Sequence, residues 1–181
     1  MKKIIYLLLA TITISNSSFC QETEFKFKIE GFTNFVVTQC EGKTQAELYK
    51  KALDWVSVTY KNPKEVIKAQ IENEYIRIEG SSKDIICMNA MGKNYFDAKY
   101  QIEISFKDGK YKFDIIEIEQ FAANQWRNLN LTDLSVFFDK NGNIKNMYKC
   151  FPETLTNYFN QLNLNLNNFL NNKESTKKNE W

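Results

Sequence analysis

Residues 96–106 read FDAKYQIEISF, and this stretch decides the fold. Its apolar residues alternate strictly with polar ones, which predicts a strand with one face in the core and one in water. Antiparallel sheets allow such one-sided burial. Asp108-Gly109 follows as a two-residue hairpin turn, and residues 111–121 return as the partner strand. The apolar phase of that partner slips between Ile115 and Ile116, which predicts a β-bulge or burial of both faces.

Shorter strands precede this hairpin. Phe25, Phe27 and Ile29 alternate with charged residues, and after Gly31 an apolar, β-branched stretch continues over residues 32–38. Two further strands are predicted at residues 66–71 and 75–81, joined by a polar turn at residues 72–74.

Two amphipathic helices complete the pattern. Thr44-Gln45-Ala46-Glu47 is a capping box that begins the first helix, and Asn62-Pro63 ends it. Pro152 suits the first turn of the second helix, which follows a polar, Asn-rich stretch predicted to be irregular at residues 124–149. The apolar stripe of the first helix comprises Leu48, Ala52, Trp55, Val56 and Tyr60. That of the second comprises Leu155, Tyr158, Phe159, Leu162, Leu166, Phe169 and Leu170.

The order strand, helix, about four strands, helix predicts an α+β fold. One-sided strands and amphipathic helices bury their apolar faces together as two layers, here an antiparallel sheet covered by two helices in β-α-β4-α order. We expect one domain over residues 21–171, closed by a helix at 152–171. Residues 172–181 are charged and polar and are predicted to be a disordered tail.

Residues 1–20 have the layout of a secretory signal peptide. Lys2 and Lys3 precede an apolar run from Ile4 to Ala10, and small polar residues lead to Cys20. The apolar run is too short to span a bilayer, so no transmembrane anchor remains after cleavage. Cleavage between Cys20 and Gln21 gives a periplasmic or secreted protein. The alternative is a lipoprotein anchored through Cys20, which Phe19 before the cysteine disfavours.

Charge argues against nucleic acid as a partner. The chain has 24 basic and 22 acidic residues; the signal peptide removes Lys2 and Lys3 and no acid, which leaves 22 of each. A nucleic-acid binder is expected to carry a basic excess on one face. We therefore expect a neutral, exported protein whose partner is not nucleic acid.

Three cysteines remain after cleavage, Cys40, Cys87 and Cys150. In an oxidising compartment they form either one disulfide with one thiol left over, or three buried free thiols. The sequence favours the buried free thiols and does not decide the pairing. None lies in a C-x-x-C pair, so neither a redox motif nor a zinc site is indicated.

One segment resembles a known family. Gly42-Lys43-Thr44, Ala52-Leu53-Asp54-Trp55-Val56 and Thr59-Tyr60-Lys61-Asn62-Pro63 are similar to a bacterial family of unknown function. Its members carry a signal peptide and one domain described as having a TBP-like fold. The resemblance spans residues 32–120 and implies that topology without implying DNA binding. It also implies kinship with helix-grip proteins, which hold apolar ligands between a curved sheet and a long C-terminal helix.

No enzyme is indicated. The chain has no histidine, which excludes Ser-His and Cys-His pairs and most catalytic zinc sites. Glu117 and Glu119 share a strand face, and a solvated charged face explains them better than a catalytic carboxylate pair. Asp139 begins a sequence like a calcium loop, but its glycine, Gly142, falls at the fourth position instead of the sixth. We therefore expect no catalytic residue, metal or cofactor.

Two functions remain open. The first is an exported, non-catalytic module that binds a small apolar ligand or a peptide between the sheet and the helix at 152–170. The second is a protein-protein interaction or assembly factor of the cell envelope, acting through an exposed sheet edge or the irregular segment. Trp126 in that segment is the better aromatic candidate for a surface contact. Neither ligand residues nor oligomeric state follow from the sequence.

Overall fold

The computed structural model describes residues 23–172. The predicted signal peptide (residues 1–20), its cleavage site at Cys20–Gln21 and nearly all of the predicted tail lie outside the described residues. The strands are β1 (Phe27–Lys28), β2 (Gly31–Phe32), β3 (Phe35–Gln39), β4 (Ile67–Ile71), β5 (Tyr75–Asn89), β6 (Lys93–Lys107), β7 (Lys110–Ala122) and β8 (Gln125–Asn128). The helices are α1 (Gln45–Thr59), α2 (Pro63–Val66) and α3 (Phe151–Leu170).

The main sheet is antiparallel and follows the order β3-β7-β6-β5-β4. β8 also pairs with β7, so that β3 covers residues 110–114 of that strand and β8 covers residues 119–122. β1 and β2 form a separate hairpin. None of the helices in the described range is long and apolar enough to cross a membrane.

The strand that decides the fold is confirmed. Alternate residues of β6 are buried, from Ala98 to Phe106. The bulge in its partner is also confirmed, because Gln101 pairs with Glu117 while Ile102 pairs with Ile115. Ile116 is the extra residue, which bends β7 where its apolar phase slips.

Both long helices pack on one face of the sheet. Thr44 caps α1, with its side chain accepting from the Glu47 N–H and the Glu47 carboxylate accepting from the Thr44 N–H. Trp55 of α1 donates from Nε1 to Asn165 Oδ1 of α3 at 2.7 Å, which ties the helices together. The α+β class and the two layers are confirmed, and β3, α1, β4 to β7 and α3 follow the predicted β-α-β4-α order, to which β1, β2, α2 and β8 are added.

The first predicted strand is replaced by a tight hairpin. The alternation from Phe25 to Glu30 suggested a continuous strand, but β1 covers only residues 27–28, and the chain turns at Ile29 and Glu30 to return as β2. A second difference follows α1, which ends at Thr59, before the predicted stop. Pro63 then begins the four-residue helix α2, since its fixed φ suits a first helical turn.

The segment after β7 is more ordered than predicted. Residues 124–149 were expected to be irregular, yet residues 125–128 form β8. Ala123 and Asn124 both have positive φ, 51° and 59°, as a two-residue type I′ hairpin turn requires. Because all four residues of β8 are exposed, no apolar alternation marks this strand in the sequence.

A disulfide joins Cys87 to Cys150, and Cys40 remains a buried free thiol. The favoured prediction of three free thiols is wrong, and the alternative of one bridge is correct. The fold brings the end of β5 beside the start of α3, with 5.5 Å between the two Cα atoms. That separation lies within the range a disulfide spans, and nothing in the sequence around either cysteine encodes it.

Candidate functional site

The space between the sheet and α3 is occupied by the protein's own side chains. Ile102, Ile104 and Phe113 of the sheet are completely buried, as are Leu155 and Phe159 of α3. They belong to one continuous core cluster. This is the region in which the sequence predicted a ligand, and its packing favours a structural role for these apolar residues.

Three tyrosines fill the gap between α1, β6 and α3. The Tyr158 hydroxyl donates to Tyr100 Oη at 2.8 Å, and Tyr60 Oη lies 3.2 Å from the same oxygen. Burial raises the pKa of all three phenols well above the ordinary value, so they remain neutral hydroxyls. Gly80 makes room for the Tyr100 ring, because a Cβ there would lie 2.5 Å from its Cζ.

The edge of the sheet at β3 offers unused backbone groups. The Cys40 N–H donates to the Gly109 carbonyl at 2.7 Å, and the Ile115 N–H donates to the Asn34 carbonyl at 2.9 Å. Antiparallel pairing alternates, so the even-numbered residues of β3 bond β7 and its odd-numbered residues point their N–H and C=O groups away. The outward residues are Phe35, Val37 and Gln39. Within residues 23–172 no strand or other group pairs with this edge.

A groove of about 390 Å³ lies between this edge and α3. One wall is Val37, Thr38 and Gln39 of β3, and Thr23 and Glu24 lie at its margin. The other wall is the polar side of α3, composed of Asn160, Gln161, Asn163, Leu164 and Asn167. Apart from Leu164 these are amide side chains, which both donate and accept hydrogen bonds, so the wall is largely polar and uncharged.

Asn160 already binds backbone in this way. Its Oδ1 accepts from the Phe25 N–H at 2.7 Å, and its Nδ2 donates to the Phe25 carbonyl at 3.1 Å. Deeper in, the Tyr111 hydroxyl donates to Asn163 Oδ1 at 2.8 Å, while Asn163 Nδ2 donates to Thr38 Oγ1 at 3.3 Å. The amides of α3 thereby hold both the N-terminal segment and β3.

These amides form a stripe that the sequence analysis missed. Asn160, Asn163, Asn167 and Asn171 recur at intervals of three and four, the spacing of one helix face. Attention to the apolar stripe alone hid this second periodicity. Asn171 Nδ2 donates to Asn167 Oδ1 at 2.7 Å and lies 3.8 Å from the thiol of Cys40. Burial raises the pKa of that thiol, so Cys40 is a packing residue beside the stripe.

The solvent-facing side of the sheet carries a second cleft next to β3, of about 290 Å³. Phe35, which is 45% exposed, forms its apolar wall, and Lys112 Nζ lies 5.4 Å from the centroid of that ring. Lys107 and Lys110 line the other side. Lys112 is paired with Asp114 at 2.7 Å.

The rest of that face is neutralised by ion pairs between neighbouring strands. Each pair joins one basic and one acidic residue in partly exposed positions, where the net energy is small. The pairs are Lys68–Glu79 (3.3 Å), Arg77–Glu103 (2.8 Å) and Lys99–Glu119 (3.9 Å).

The residues singled out from the sequence are dispersed. Glu119 pairs with Lys99, and Glu117 accepts from Asn128 Nδ2 at 2.7 Å, as expected of a charged strand face. Trp126 packs on Phe121 with 5.0 Å between ring centroids, beneath the ammonium of Lys99. The Trp126 ring therefore already contacts two residues of this protein, Phe121 and Lys99.

The loop at Asp139 has the structure of a turn. The Asp139 carboxylate accepts from the N–H groups of Asn141 and Asn143 at 2.8 and 2.9 Å. These bonds lower the pKa of Asp139. No group of three Cys, Asp or Glu side chains in the described part of the chain is arranged to hold a metal ion.

Comparison with known proteins gives a family match for part of the chain. Residues 35–121 match the family model described as a domain of unknown function (DUF4468) with TBP-like fold. The predicted family resemblance is confirmed. Among curated proteins, none matches the sequence.

Two crystal structures share the fold. A DUF4468 family protein from Bacteroides ovatus ATCC 8483 superposes with a TM-score of 0.63 at 14% identity, over 78% of this chain and 86% of that chain. A TBP-like protein from Parabacteroides distasonis ATCC 8503 gives 0.56 at 15% identity, over 76% and 91%. At such identities the likeness establishes topology alone. The α3 amides lie beyond the matched residues 35–121.

Proposed function

We propose that this protein is an exported, non-catalytic binding module that takes up an extended peptide segment as an added strand along β3. The peptide lies between the sheet edge and α3, so it occupies the groove at Thr38 and Asn163 and leaves the packed interior undisturbed. A small apolar ligand between the layers is the weaker version, because Ile104, Phe113 and Phe159 fill that space.

The observation that carries the proposal is the unpaired edge of β3 beside an amide-lined groove. Peptide recognition by strand addition draws its affinity from main-chain hydrogen bonds and its specificity from alternate side chains. The N–H and C=O groups of Phe35, Val37 and Gln39 supply the main-chain partners. The hydrogen bonds between the Asn160 amide and the backbone of Phe25 are an example, within this fold, of an amide of this wall that binds main-chain groups.

The other margins of the sheet differ from β3. Natural proteins protect exposed edges with charges, bulges or very short strands. β4 carries Lys68 and an irregularity in its pairing, and β8 has four exposed residues including Arg127. β3 reads Phe-Val-Val-Thr-Gln, with no charge, no proline and a regular register. An edge left without these protections is suited to a partner strand.

Three further features support an exported binder. The disulfide between Cys87 and Cys150 is a bond that persists in oxidising compartments, which agrees with the predicted signal peptide. The absence of histidine from the chain supports a non-catalytic role. The alternating ion pairs on the solvent-facing side support a partner other than nucleic acid, since they leave most of that face neutral.

Selection from a phage library of random eight-residue peptides tests the proposal, with the chain beginning at Gln21 as bait. Synthetic peptides from the selection should shift the backbone amide NMR signals of Phe35, Val37 and Gln39. Val37→Pro should weaken binding tenfold or more, because it removes an outward N–H and places a ring in the path of the added strand. That factor corresponds to about 1.4 kcal/mol, close to one lost hydrogen bond.

Val37→Ala is the matched control, because it shortens the same side chain but keeps the N–H. It should bind within about threefold of the parent protein. Gln39→Pro repeats the test at an exposed outward position if Val37→Pro does not fold. Equal binding by the proline variants, selected peptides that shift signals only elsewhere, or a selection that yields no binder would each refute strand addition at β3.

A further inference from the structure

We infer that the segment bound along β3 is acidic at alternate positions, with its carboxylates directed over the solvent-facing side of the sheet toward Lys107 and Lys110. This inference rests on the proposed function and adds the chemistry of the partner. It starts from the cleft at Phe35, on the opposite side of β3 from the amide-lined groove.

A strand added to β3 would present its side chains to two different surfaces. Alternate side chains of a strand point to opposite faces of the sheet. One set would enter the groove with the uncharged amides Asn160, Asn163 and Asn167. The other set would lie beside Phe35 and Val37, on the face that carries the lysines. The two sets therefore meet a neutral wall and a basic wall.

The basic wall contains charges that the fold leaves uncompensated. Lys107 and Lys110 stand directly opposite each other across the β6–β7 hairpin. Like charges in that position are destabilising. Neither lysine forms an ion pair with any residue between 23 and 172, whereas the neighbouring Lys112 is paired with Asp114. Elsewhere on the same face three ion pairs join neighbouring strands, whereas these two unpaired lysines lie at the β3 end.

The distances suit carboxylates on the added strand. Neighbouring strands lie about 4.8 Å apart, so the added strand would lie roughly 10 Å from β7. The side chains of Lys110 and a glutamate together span that gap, whereas Lys107 on β6 lies one strand farther away, about 14 Å from the added strand. Lys112 already extends from β7 as far as the ring of Phe35 on β3. Lys110 pairs with Gln39 in the register and is placed to reach the same margin.

Charge also distinguishes the partner from a second copy of this chain. Pairing of two β3 strands would bring the uncompensated lysines of both copies to one continuous sheet face. An acidic segment lowers the repulsion between Lys107 and Lys110, whereas β3 of a second copy carries no acidic residue to do so. We therefore commit to an acidic extended segment and treat self-association as an outcome of the test.

Three blocked eight-residue peptides serve as probes: four repeats of Thr-Glu, of Thr-Gln and of Thr-Lys. Fluorescence anisotropy at 50 mM salt should give the Thr-Glu peptide about tenfold higher affinity than the Thr-Gln peptide, as two or three weak ion pairs allow. The Thr-Lys peptide should bind more weakly than both. The preference should shrink at 0.5 M salt, since exposed charges are screened there.

Lys107→Gln/Lys110→Gln should abolish the preference for the Thr-Glu peptide. Lys61→Gln/Lys64→Gln removes two charges near α2, away from β3, and should leave the preference unchanged. Sedimentation at the same concentrations should give a monomer; a dimer abolished by Val37→Pro would overturn the acidic partner in favour of a second copy.

The two proposals fail in different ways. Library-selected peptides that lose affinity with Val37→Pro but show no excess of acids would overturn the acidic partner and leave strand addition standing. A Thr-Glu peptide sensitive to Lys107→Gln/Lys110→Gln but indifferent to Val37→Pro would refute strand addition and leave a lysine-directed contact. Binding by none of the three peptides overturns the acidic partner.

Discussion

Reducing the disulfide between Cys87 and Cys150 should lower the free energy of unfolding by about 4 kcal/mol. The bond closes a loop with a sequence separation of 63, which contains β6, β7 and β8. In the chain-entropy treatment, a closed loop of that length restricts the unfolded chain by roughly 4 kcal/mol at 25 °C. The folded state changes little, because Leu155 and Phe159 hold α3 on the sheet without the bond. The loss therefore comes mainly from the unfolded state.

Urea titration with and without a reductant measures this loss. With a slope near 2 kcal/mol per molar urea, the midpoint should fall by about 2 M. In a thermal scan the melting temperature should fall by roughly 8–16 °C. Cys87→Ser/Cys150→Ser should be destabilised by a similar amount without reductant and show no further change with it. A loss below about 1 kcal/mol in the reduced protein would refute the loop-entropy reasoning for this bond.

Two further predictions concern the tyrosine cluster. Gly80→Ala should lower the free energy of unfolding, measured in urea, by about 1–3 kcal/mol, because the added Cβ would lie 2.5 Å from Tyr100 Cζ. Ser81→Ala, at the neighbouring exposed position, should be nearly neutral. Equal effects of the two substitutions would contradict the close packing of Gly80 against Tyr100. Burial raises the pKa of Tyr60, Tyr100 and Tyr158, so stability is fully present below the ordinary tyrosine pKa near 10 and falls as the pH rises beyond it. Absorbance at 295 nm should show these phenols ionising only as circular dichroism reports unfolding; complete ionisation of a folded protein near pH 10 would disprove their burial.

Local patterns predicted the parts of the fold that are locally encoded. The capping box at Thr44, the alternation in β6 and the phase slip at Ile116 each reflect interactions among residues close in sequence or opposite in one hairpin. The pairing of Cys87 with Cys150 is different, because it depends on where two distant elements meet. β8 escaped prediction for a second reason: both faces of this strand are exposed, so burial imposes no pattern on it.

The candidate site likewise has one part that local sequence could have predicted and one part that it could not. The amide stripe of α3 was present in the sequence as asparagines at helical spacing, and only the emphasis on apolar residues concealed it. The unpaired edge of β3 was not accessible in that way. Residues 35–39 have the sequence of an ordinary buried strand, and no local pattern predicts that a strand lies at the edge of a sheet. That position follows from β3 pairing with β7 alone.

The chain connectivity explains why this edge stays open. β3 comes before α1 in the chain, and the meander from β4 to β7 then fills the sheet from the far side. β7 is long enough to pair with β3 over residues 110–114 and with β8 over residues 119–122, so most of its edge is covered. The unpaired backbone N–H and C=O groups therefore lie on the outer side of β3. Next to them α3 presents amide side chains instead of an apolar face. A fold built this way keeps the core on one side of α3 and, on the other side, the β3 edge to which we propose a peptide strand is added.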